Sequence, residues 1–148
     1  MISKNRGPKS GYLFEEKAKY RECVWGRISE SCNNDMESKT VLIFPSNHDE
    51  EIKVVLGKGV KEENIYACDE SAALLATAKW RKKYPKINIL GVSLTRAIEK
   101  LHSAKIRIDV ANFDFCSNLC ESVFVDIATF IKYVADRKST RLNSSHRL

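Results

Sequence analysis

Apolar residues along this chain follow two alternating patterns: short continuous runs, and longer stretches spaced at three and four residues. "TVLIF" (40–44) is a run of the first kind, as expected for a strand covered on both faces. "NIYACD" (64–69), "INIL" with Gly91 (87–91) and "RIDVANFDF" (107–115, strand to 114) predict three more strands. The segments between them predict helices. "DEEIKVVLGKG" opens on acids and closes on Gly57 and Gly59, which suit a helix start and a C-cap. "ESAALLATAKWRKKYP" is Ala-rich, acidic at its start, basic at its end, and stopped at Pro85. "LTRAIEKLHSAK" and "ESVFVDIATFIKYVA" complete the series. Ahead of it, Leu13, Tyr20, Val24, Trp25 and Ile28 predict an amphipathic helix over 12–29. A mobile arm is expected over 1–10, and "ESCNNDMESK" reads as a polar linker.

Strand–helix alternation with short connections predicts right-handed crossovers and a parallel sheet with helices on both faces. The fold class expected is therefore α/β. Sheets of this kind bind ligands outside the carboxyl ends of their strands, near the switch in strand order. The positions to inspect follow Phe44, Ala67, Leu90 and Phe113.

Composition narrows the class without naming a function. A chain of 148 residues suits one domain with a core, and 43% hydrophobic with 30% charged residues is a globular balance. No apolar run approaches the roughly 18–20 residues that span a bilayer, so no membrane partner is expected. The basic N-terminus "MISKNRGPKSGYLF" precedes no apolar stretch, as a secretory signal would. Cys23, Cys32, Cys68, Cys116 and Cys120 form no C-x-x-C pair. A zinc site at Cys116 and Cys120 is weighed against buried thiols in a reduced compartment, and the thiol reading is preferred, which predicts a cytoplasmic protein with no metal.

The net charge of +6 suggests nucleic acid until the tail is read. Asp136 to His146, "DRKSTRLNSSH", is the in-frame translation of a common sequencing adapter. The tail 136–148 is therefore expected to be non-native, with the natural gene continuing past Ala135. It holds four of the 25 basic residues and one of the 19 acidic ones, so 21 and 18 remain and the charge falls to +3, an ordinary value. The organisation expected is an N-terminal arm and helix (1–38), an incomplete α/β core (39–135) and the adapter-derived tail (136–148).

The strand ends carry the candidate chemistry. Asp69 follows the second strand, 22 residues after Asn47, where an acid can accept two ribose hydroxyl bonds. It equally suits the N-cap of the helix that follows. Asn112 and Asp114 stand at the mouth of the fourth strand, on one face if alternation persists. They can orient a substrate amine or hydroxyl, or satisfy loop amides. His48 can act as a base or remain a solvated loop residue, and His102 falls on a helix's polar side. "KWRKKYP" (79–85) can meet phosphates or simply end a helix favourably. No Ser-His-Asp arrangement, metal-spaced carboxylate set or P-loop is present.

From Thr40 to Ala135 the chain resembles the class I S-adenosylmethionine-dependent methyltransferases. "VLIFPSNHDEEIKVVLGKG" is similar to that family's first strand, glycine loop and first helix; "NIYACDES" to its second strand and ribose-binding acid; "INILGVS" to its third strand; and "RIDVANFDF" to its fourth. The resemblance implies a Rossmann-like three-layer sandwich with further strands beyond the four present. It implies S-adenosylmethionine as cofactor, over Pro45, Ser46 and Asn47, with Asp69 on the ribose and Ser93 near the adenine amine. Asp114, with Asn112, would stand near the transferring methyl, where nucleic-acid amino-methyltransferases carry an Asp/Asn-Pro-Pro-aromatic motif. This chain departs from the pattern: its first turn has no glycine, and Phe115-Cys116 replace the prolines. The alternative expectation is a non-catalytic Rossmann-like domain that binds a nucleotide or a protein. A receiver-like phosphoacceptor domain is a weaker third.

Overall fold

The structure is a computed structural model, describing residues 6–45, 49–68, 74–113, 124–125 and 127–134. A long helix α1 (Arg6–Ser31) leads into strand β1 (Val41–Ile43) and helix α2 (Glu50–Gly57). A 3-10 turn (Glu62–Asn64) then enters β2 (Ile65–Cys68), followed by α3 (Leu74–Lys83), β3 (Asn88–Leu90), α4 (Leu94–Ser103) and β4 (Val110–Asn112). Residues 127–134 are again helical. The four strands form one parallel sheet in the order β3-β2-β1-β4. The predicted α/β fold is present, with a Rossmann-like parallel sheet between helical layers.

Two apolar clusters lie on the two faces of the sheet, divided by strand alternation. Val41 and Ile43, Ile65 and Ala67, Ile89 and Val110 join Trp25, Met36, Ile52, Val55, Trp80 and Tyr84 on the face carrying α1, α2 and α3. Leu42, Tyr66, Cys68, Leu90 and Ala111 join Leu94, Ala97, Ile98, Phe130 and Tyr133 on the face carrying α4 and 127–134. β1 is fully buried along its length because it sits inside the sheet with helices on either side.

Helix ends follow their local chemistry. Gly59 takes the left-handed conformation after α2, at φ +102°, and its amide donates to the Leu56 carbonyl. That backbone is strained for any side chain, which is why the helix closes on glycine. Pro85 follows the end of α3, as expected.

The predicted boundaries of the first helix and of the strands move. α1 begins at Arg6, inside the stretch expected to be an arm; Pro8 is tolerated there because amides of a first helical turn have no intrahelical partner. Each strand is shorter than its apolar run, most of all β4. There Asp109 accepts from the Thr40 amide, and the Asp109 and Val110 amides donate to the Thr40 carbonyl, so 107–109 lead into the strand without being part of it. The expected start of α3 near Ser71 lies outside the described residues.

Candidate functional site

Strand order reverses between β1 and β4: the chain moves outward from β1 to β2 and β3, then returns to β1's other side. Crevices form at such reversals, because the flanking connections leave the strands in opposite directions. Ile43 and Asn112 are register partners at the carboxyl ends of these two strands.

Alternation puts the Asn112 side chain on the α2 face, beneath the first turn of that helix. There it meets Glu51. The Asn112 Nδ2 donates to Glu51 Oε1 at 2.6 Å, and the Trp25 indole Nε1 donates to the same oxygen at 3.1 Å. Glu51 is only 3% exposed and is the one buried charged side chain among the described residues. A buried carboxylate is costly unless hydrogen-bonded, and here α1 and β4 both supply donors. Glu51 thus joins three elements at the reversal point. It escaped notice in the sequence because "DEE" reads as a helix start. The available signal was its spacing, since Glu51 lies four residues before Val55 and adjacent to Ile52, on the buried side of α2.

On the other face the strand ends are apolar. Phe44 and Phe113 lie 5.5 Å apart between ring centroids, and Phe113 meets Phe130 edge-on at 4.8 Å. Tyr133 of the same helical stretch donates its hydroxyl to the Ile106 carbonyl.

A second polar cluster lies at the start of α2. Asp49 Oδ2 accepts from Lys83 Nζ at 2.7 Å and from the Tyr84 hydroxyl at 2.8 Å, with Lys53 Nζ 3.7 Å from Oδ1. Partial burial works to raise the Asp49 pKa. Hydrogen bonds from Lys83 and Tyr84 and the charges of Lys53 and Lys83 outweigh it, leaving about 2. Burial and then the same carboxylate push the Tyr84 hydroxyl above its ordinary range. Asp49 stands at the N-cap of α2 but makes no side-chain cap bond, because its carboxylate is turned to α3.

Of the seven residues singled out in the sequence, Pro45, Ser93 and Asn112 are described; Ser46, Asn47, Asp69 and Asp114 lie outside the described residues. Pro45 is buried just beyond β1. Ser93 is the N-cap of α4, its hydroxyl oxygen accepting from the Arg96 amide at 3.4 Å. It follows β3, three strand spacings from β4, or roughly 14 Å. Pro45 and Asn112 are therefore brought to neighbouring strand ends, while Ser93 stands apart. His48, Cys116 and Cys120 also lie outside the described residues. Cys23, Cys32 and Cys68 are free thiols, and Cys68 Sγ donates to the Val92 carbonyl. No metal-holding cluster of three His, Cys, Asp or Glu occurs among the described residues, and none of their helices is long and apolar enough to cross a membrane.

The described residues define a Rossmann-like α/β domain with a polar strand mouth at its switch point. Compared with protein-family models, with curated proteins and with solved structures, the chain gives no match.

Proposed function

We propose that this chain is an S-adenosylmethionine-dependent methyltransferase domain acting on an exocyclic amine of nucleic acid. The observation that carries the reading is the reversal of strand order between β1 and β4, with Asn112 at its carboxyl edge. The described residues fit a nucleoside-type group there. Asn112 is half-buried, and its amide oxygen accepts no hydrogen bond among the described residues. When bound, the cofactor supplies a methyl already activated by its sulfonium. The chain's own task is then to orient the acceptor and exclude water. Asn112, with Asp114, holds the acceptor amine; Asp69 holds the ribose; Pro45, Ser46, Asn47 and Ser93 border the cofactor. Exposed Arg81 and Lys82 at the end of α3 support a phosphate-bearing partner, and the free thiols suit a cytoplasmic setting.

A second reading is a non-catalytic domain that binds a nucleotide or a protein. The buried Pro45 and the glycine-free turn favour it, since side chains there hold a ligand further from the backbone than glycine does.

Calorimetric titration with S-adenosylmethionine tests both. Under the first reading the wild type binds, and Asp69→Ala weakens binding at least about tenfold, because two charge-assisted bonds to ribose hydroxyls are lost. If Asp69 serves only as a helix cap, the substitution costs about 1 kcal/mol of stability and leaves affinity unchanged. A wild-type chain that ignores the cofactor at millimolar concentration sinks the methyltransferase reading for this chain.

A further inference from the structure

We propose that Glu51 is a positioning residue for this site, acting through Asn112 to select ligands that present an N–H donor. The inference rests on the methyltransferase reading and adds to it a residue that touches neither cofactor nor acceptor. Its ground is the geometry of the asparagine amide. An asparagine side chain ends in one donor group and one acceptor of nearly equal shape, so a free amide can turn either end toward a ligand. The Glu51 Oε1 already accepts from the Trp25 indole, which can only donate, so it offers its next partner a lone pair and not a proton. The 2.6 Å contact between Glu51 Oε1 and Asn112 Nδ2 therefore fixes the NH2 group against Glu51 and turns the Oδ1 end away.

The lock is itself held. Glu51 is buried on α2, and the Trp25 indole, fully buried on α1, donates 3.1 Å to the same oxygen. Ile52 and Val55 anchor the surrounding turn of α2 in the apolar core. What reaches the carboxyl end of β4 is then a hydrogen-bond acceptor of fixed orientation. A nucleobase amine satisfies it. A ring carbonyl at the same place faces it lone pair to lone pair and is rejected.

The test compares near-isosteric nucleosides, so that a general loss of stability cancels. Wild type, Glu51→Leu, Asn112→Ala and the double variant are saturated with S-adenosylmethionine. Each is then titrated with deoxycytidine against deoxyuridine, and with deoxyadenosine against purine deoxyriboside, followed by NMR. Wild type is expected to favour the amine-bearing member of at least one pair by about fivefold, the size of one neutral hydrogen bond. Glu51→Leu removes the acceptor and lets the amide turn over, and the preference is expected to fall to about twofold or less. Asn112→Ala abolishes it, and the double variant behaves as Asn112→Ala alone, since Glu51 acts only through Asn112. Should Glu51→Leu fail to fold, Glu51→Asp keeps the carboxyl group, withdraws it by one methylene and is expected to show the same collapse. The inference is overturned if wild type shows no preference in either pair, or if the Glu51 variants keep the wild-type preference. A wild type that does not bind S-adenosylmethionine at all defeats the underlying reading, and this inference with it.

Discussion

At the residue scale, two carboxylates of one short helix do opposite work. Asp49 faces the surface end of α3 and is held ionised by Lys83 and Tyr84, whereas Glu51 faces inward and accepts from the Trp25 indole and the Asn112 amide. The Asp49 pKa, near 2, lies below the ordinary carboxylate value of 3.8. Such a group adds stability above its unfolded pKa and loses it as pH falls through the folded one. With Lys83 and Lys53 about half exposed, the contribution is about 1 kcal/mol after solvent screening. Asp49→Asn is therefore expected to lower the urea midpoint at pH 7, with the difference from wild type shrinking between about pH 4 and pH 2. A difference that persists undiminished at pH 2 contradicts the assignment. Glu51→Ala leaves the buried Trp25 N–H without its acceptor and uncouples Asn112, so a loss of about 2–3 kcal/mol in chemical denaturation is expected.

At the element scale, each short strand depends on neighbours rather than on its own length. β1 has three residues, yet Val41 and Ile43 enter one core and Leu42 the other. Leu42→Ala is expected to cost about 2–5 kcal/mol, the range for a large buried side chain whose site cannot fully collapse. A loss below 1 kcal/mol would show that the face carrying α4 is not packed as described. The C-cap of α2 offers a smaller effect. Gly59→Ala places a side chain at φ +102° with open space around it, so the cost is backbone strain alone, about 1 kcal/mol or somewhat more in thermal melting. Glu22 and Lys58 link α1 to α2 at 3.1 Å, but their exposure limits that pair to a minor role.

At the scale of the whole molecule, the right-handed crossover rule explains why the cores divide as they do. β1, β2 and β3 step outward in one direction and carry α2 and α3 on one face; the return to β4 carries α4 to the other. α1 joins the first face through Trp25, so the N-terminal helix is part of the domain rather than an appendage. The tail expectation belongs at this scale too. If residues 136–148 are the non-native segment that their sequence suggests, removing them is expected to leave the melting temperature unchanged within about 1–2 °C. A large drop would mean that the segment belongs to the fold.

Much of this was legible in the chain itself. Every predicted strand is present as a strand, and the helices between them follow, because period-two and period-four burial is a local property of a covalent chain. Capping was legible for the same reason at Gly59 and Pro85, whose backbone restrictions travel with the residue. Strand lengths were overestimated, since a ladder ends where a neighbour ends, and the Asp109–Thr40 contact at the start of β4 joins residues 69 apart. Only the tertiary structure could assign Glu51. Its side chain is that of any helix-start acid, and what buries it is an indole 26 residues upstream and an amide 61 residues downstream. The sequence alone thus determined the periodicities and hence the α/β class. Partners for polar groups, and with them the reversal point where Glu51 holds Asn112, were decided by long-range packing, which no local pattern encodes.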